Sequence, residues 1–154
     1  MYLEIVAYSL HTLFGTLWAG SMLFIAAVVL PAARTGKIDP AALAVIFVRF
    51  RWLTRISVLV TFATGGHLAG TLYTANTLTG STAGHIVLVM LGLWLLMAAV
   101  IEIGTARAMR SIRAEKRRQP IHDVARFYAI GALCAVGLFL TAGVLGANRV
   151  AGVL

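Results

Sequence analysis

Cysteine occurs once, at Cys134 inside an apolar run, so the chain can form no internal disulfide and no thiolate metal cluster of its own. A small core side chain is the role that suits it there. Acidic residues are equally sparse, five against thirteen lysines and arginines, and charged residues make up only 12% of the chain. No paired carboxylates, nucleophile and base spacing, or glycine-rich phosphate loop can be found. Repeats and low-complexity segments are also missing, and no stretch outside the apolar runs is long enough to fold as a second domain. Residues 1–154 therefore read as a single domain. No basic segment precedes the first apolar stretch and no small-residue cleavage pattern follows it, so that stretch is expected to remain in the protein.

Hydrophobic side chains make up 60% of the residues, and mean hydropathy is +0.93. Such a chain has too little polar surface to face water on all sides; its solvent is lipid. Four runs reach the ~20 residues that a helix needs to cross a bilayer. They are Leu3 to Leu30, Trp52 to Tyr73, Ala83 to Ile103 and Val124 to Leu145. The expected fold is all-α, an integral-membrane four-helix bundle. Pro31 is expected to end the first run, and Asp39-Pro40 reads as an N-cap with proline at the first helical position, restarting a helix that leads into the second. The third run is expected to continue as a basic helix to Arg118, before Pro120.

The net charge of +8 does not form a stripe suited to nucleic acid. Arg34, Lys37, Arg49, Arg51 and Arg55 surround the first connection, and Arg107, Arg110, Arg113, Lys116, Arg117, Arg118 and Arg126 surround the third. The second connection, Thr74 to Gly84, has no charge. By the positive-inside rule, the basic loops are cytoplasmic and both termini lie outside, in a multi-pass protein of the cell membrane whose first partner is the lipid bilayer. Glu102 falls at the depth of Arg51 and Arg55, where an interfacial ion pair is expected.

The same arithmetic, at ~1.5 Å per residue, puts His11 roughly 12 Å and His67 about 9 Å inward from the outer surface, with His85 shallower. His122 falls in the basic connection. Ionisable groups inside a membrane are costly and point to function, although histidines also serve as hydrogen-bonding glue between helices. His11 lies one turn before Gly15 and near Trp18, while Gly65, Gly66 and Gly70 flank His67; small residues there serve close helix approach or leave room for a flat macrocycle.

The run His11-Thr-Leu-Phe-Gly-Thr-Leu-Trp-Ala-Gly-Ser, with Thr64-Gly65 in the second span and Gly84-His85 opening the third, resembles the copper-resistance D membrane family. It also looks like the small four-helix, heme-dependent protoporphyrinogen oxidases. In those oxidases a lysine of the third span accompanies the first-span histidine; no lysine lies between Ala83 and Ile103, a departure that counts against oxidase activity and leaves a redox role open. His67 is not part of either pattern.

Three readings follow. The first is a small b-type cytochrome or heme-binding electron-transfer subunit with His11 and His67 as axial ligands, Gly15, Gly66 and Trp18 around the ring, and Arg149 on the propionates. It implies a redox partner in the membrane or on the outer side. The second is copper handling at an outward-facing site of His11, His67 and His85. The third is a cofactor-free accessory or anchor subunit, as a homo-oligomer or within a larger complex.

Overall fold

The structure, a computed structural model, describes the backbone of residues 2–113 and 120–150 and the side chains of residues 2–110 and 124–147. Among the described residues it is helical throughout, without strands: α1 (Tyr2–Phe24), a π-turn (Ile25–Val29), α2 (Leu30–Arg34), α3 (Pro40–Leu72), α4 (Ala75–Gly80), α5 (Thr82–Arg113) and α6 (Pro120–Val150).

Pro31 does not stop the first rod as expected. The helix widens into the π-turn just ahead of it, the Leu30 N–H bonding to the Ile25 carbonyl, and then continues to Arg34. A proline lacks the N–H of the α-helical ladder and its ring crowds the carbonyl four residues back; widening the preceding turn relieves both problems without breaking the rod. The stop comes at Gly36, whose φ of 71° is the left-handed conformation glycine tolerates. Gly36 N–H bonds to the Ala33 carbonyl and Lys37 N–H to the Ala32 carbonyl, closing the last turn as a Schellman motif. The restart at Asp39-Pro40 is observed. The Asp39 carboxylate accepts from the N–H groups of Ala41 (2.8 Å) and Ala42 (3.3 Å), and α3 then runs unbroken for 33 residues. The second connection carries a helix the sequence did not announce, the short α4, closed by a Thr74–Thr77 capping box.

Cross-helix contacts set the order of the rods. Trp18 bonds to Thr54 and His11 to Thr64, so α1 and α3 run antiparallel. Arg51 pairs with Glu102 and Thr61 with Trp94, which makes α5 antiparallel to α3. Thr105 bonds to Tyr128 between α5 and α6, and α6 packs back against α1. The result is an up-down-up-down bundle. The start of α1, α4 and the end of α6 lie at one end, and the first connection, the end of α5 and the start of α6 at the other.

Among the described residues, three helices are long and apolar enough to cross a membrane: Tyr2–Arg34, Thr82–Arg110 and Val124–Ala147. Their outer faces carry large exposed apolar side chains, Leu133 at 73% and Leu140 at 66% among them, as lipid contact requires. The remaining rod, α3, is long enough but less apolar. Arg49, Arg51 and Arg55 stand in its first half, and a polar stripe of Thr54, Ser57, Thr61, Thr64 and His67 follows on its inner side. The stripe meets indoles: Trp18 Nε1 donates to Thr54 Oγ1 (3.2 Å) and Trp94 Nε1 to Thr61 Oγ1 (2.9 Å). Between lipid-facing helices such bonds hold position; apolar burial supplies less drive there than in water.

Candidate functional site

His11 on α1 faces α3. Its Nδ1 lies 3.1 Å from Thr64 Oγ1, and the Thr64 hydroxyl itself donates to the Val60 carbonyl at 2.6 Å. A hydroxyl has one proton, already directed at Val60, so its oxygen accepts and His11 Nδ1 carries the hydrogen. The neutral ring then has its lone pair on Nε2. This is the arrangement of a metal-ligating histidine, in which the second nitrogen is held by a hydrogen bond that fixes tautomer and orientation.

The ring also lies against Gly65. A Cβ added at Gly65 would stand 2.8 Å from His11 Cε1 and 3.2 Å from Nδ1, so the missing side chain is what lets the imidazole reach Thr64. Gly15 and Gly66, read from the sequence as flanking a cofactor, would each meet nothing within 4 Å. The glycine that shapes the site is thus Gly65, one residue from the position named. Glycine content alone cannot tell the two apart, because they differ by 100° around the helix axis.

His67 lies one turn further along α3, ~4.5 Å beyond Thr64 by helical rise. Its Nε2 is shielded from solvent and has no hydrogen-bond partner, one of two such side-chain atoms among the described residues, the other being Ser57 Oγ. A shielded nitrogen without a partner is costly and calls for an explanation in chemistry. His11 and His67 therefore share one end of the α1–α3 seam, each offering Nε2.

His85 does not join them. It is exposed, and its Nε2 donates to the Thr79 carbonyl at 2.8 Å, tying α5 to α4. Gly84 beside it is required by packing: a Cβ there would come within 2.2 Å of the Leu78 carbonyl oxygen and 2.5 Å of that of Thr77. The Gly84-His85 pair docks α4, and no group of three or more His, Cys, Asp or Glu side chains suited to a metal occurs among the described residues. His85 thus stands apart from His11 and His67.

The heme arrangement also does not fit the seam. Axial ligation by His11 and His67 needs an iron and a macrocycle between α1 and α3, whereas the His11 ring already touches the α3 backbone at Gly65. Trp18, expected beside the ring, is 1% exposed; its N–H is taken by Thr54, and it stands edge-on to Trp94 with centroids 6.4 Å apart. Arg149, expected at the propionates, together with Asn148 and His122, lies outside the residues whose side chains are described.

At the opposite end, the expected ion pair is present and takes two arginines. Arg51 Nε donates to Glu102 Oε2 and Arg55 Nε to Glu102 Oε1, both at 2.8 Å, locking α3 to α5. The three side chains keep 34–46% of their exposure, which places them at a boundary and not in the core.

Residues 44–145 match the family described as copper resistance protein D. The matched stretch begins inside α3, so it includes His67 and His85 but not His11. No curated protein and no solved structure matches the chain.

Proposed function

Because the chain belongs to the copper resistance protein D family, we propose that this membrane protein handles copper at a two-histidine site, His11 and His67, where α1 meets α3. The single observation that carries the reading is the pair of Nε2 atoms: one left with a free lone pair by the His11–Thr64–Val60 relay, the other shielded and without a partner. Copper is the transported or sequestered species here, and the protein supplies its ligands. Two neutral imidazoles with no carboxylate or thiolate suit cuprous copper, which accepts low coordination numbers; zinc in structural sites takes four ligands. Thr64 holds the His11 ring in place as an outer-shell partner.

All four long rods cross the bilayer in this reading, α3 included. Its outer side carries Val45, Val48, Trp52, Ile56, Leu59 and Phe62, each 42–70% exposed and spaced at helical repeats, while its polar stripe is turned inward. The lysines and arginines around the first and third connections put that end in the cytoplasm and the histidine end outside, where it receives copper from beyond the membrane. Impermeant maleimide on intact cells should label single cysteines placed between Thr74 and Gly84 and spare those placed between Arg110 and Arg118. The reverse pattern would put the histidines on the cytoplasmic side.

The ligand assignment is tested on detergent-purified protein by competition with a chromogenic cuprous chelator. One copper per chain is expected. His11→Ala and His67→Ala should each weaken binding at least tenfold, and His85→Ala should leave it unchanged. A Soret band in the purified protein would restore the cytochrome reading. Failure to take up copper or heme would leave the accessory-subunit reading.

A further inference from the structure

At the basic end of the bundle, away from the histidines, a groove of about 320 Å³ opens between α1 and α3. Ile25, the first residue of the π-turn, and Phe50 are buried 3% and 4% exposed in its lining, with Phe24 and Leu53 beside them. Its polar groups are Ser21 and Arg49. The volume is at the low end for a ligand pocket, ~300–1,000 Å³, and Phe24 is 58% exposed, so the groove is open to the surface that faces lipid.

Arg49 distinguishes this groove from ordinary helix-packing roughness. The two other arginines on this part of α3, Arg51 and Arg55, share the Glu102 carboxylate. Arg107 and Arg126 lie over the Phe127 ring, at 4.7 and 5.2 Å. Arg49, by contrast, is exposed and has no carboxylate or ring partner among the described residues, and it lines the groove beside its apolar side chains. A guanidinium matches a phosphate through two parallel hydrogen bonds, and an apolar groove beside it matches the chain attached to that phosphate.

We propose that this groove is a binding site for an anionic glycerophospholipid, with the phosphate headgroup on Arg49 and one acyl chain running past Phe50 and Ile25 towards Leu53. The bound lipid fills the lateral gap between α1 and α3 at the π-turn, complementing the Arg51–Glu102–Arg55 lock on the other side of α3. The site is independent of copper and stands or falls without it.

Native mass spectrometry of the full chain, with phosphatidylglycerol or phosphatidylcholine added in detergent, tests this. Wild-type protein should retain phosphatidylglycerol in preference. Arg49→Gln should lower that retention by about fivefold, the weight of one basic residue at an anionic surface. Arg107→Gln, which removes the same charge elsewhere, should not. Leu53→Trp, which fills the groove and leaves Arg49 in place, should lower retention as well, with both variants still monodisperse. Equal retention of the two lipids by wild type, or equal loss in Arg49→Gln and Arg107→Gln, would overturn the site. A dimer peak that Arg49→Gln abolishes would assign the groove to a second copy of the chain and overturn it too.

Discussion

Alanine at position 65 should remove most copper binding, by about 10–100-fold, while alanine at position 66 should leave it unchanged. The two glycines are neighbours on one helix, and each substitution adds one methyl group. At Gly65 that methyl would stand 2.8 Å from His11 Cε1, closer than real Cβ contacts come, whereas at Gly66 nothing lies within 4 Å. The imidazole is the end of a side chain and can swing away, so Gly65→Ala should still fold. What it loses is the His11–Thr64 hydrogen bond and with it the orientation of Nε2. Both variants replace a helical glycine, a change worth about 0.5–1 kcal/mol in favour of the helix, and Gly66→Ala should melt slightly higher than wild type. Equal copper affinity in the two variants would take His11 out of the site and leave the unpartnered nitrogen of His67 to be explained in another way.

Reversing the charge of Glu102 should be the most damaging single substitution at the other end of the bundle. Glu102→Arg turns two 2.8 Å attractions, to Arg51 and Arg55, into repulsions among three guanidinium groups where α3 meets α5. Size-exclusion profiles in detergent should lose most of the monodisperse peak. Arg51→Gln alone should do little, because the carboxylate keeps Arg55 and all three groups are over a third exposed to screening. Combining Arg51→Glu with Glu102→Arg should recover a substantial part of the peak. If the swap recovers nothing, the damage comes from side-chain volume and not from charge.

The ion pair and the histidine neighbourhood were both legible before any coordinates, for the same reason. Depth along a helix is a one-dimensional quantity set by a constant rise per residue, so the sequence positions of Glu102, Arg51 and Arg55 already matched their levels, as did those of His11 and His67. The Asp39-Pro40 restart was legible because a cap is a local arrangement, closed within three residues. Pro31 was misread because the sequence shows that one hydrogen bond must be lost but not that the preceding turn can widen to absorb the loss.

By itself the sequence determined the membrane as solvent, the long helical runs, the charge asymmetry and the level of each polar group along its own helix, all of which depend on composition and rise. The tertiary structure alone decided which side of each helix faces its neighbour. In a soluble helix the apolar stripe reveals that rotation, but here lipid-facing and core-facing sides are both apolar and the stripe is lost. Three outcomes therefore had to come from packing: Gly65 and not Gly66 receives the imidazole, Trp18 belongs to a structural hydrogen bond, and His85 is spent on docking α4. Each turns on rotation about a helix axis, where one residue is 100°, and only contact with a second helix fixes that angle.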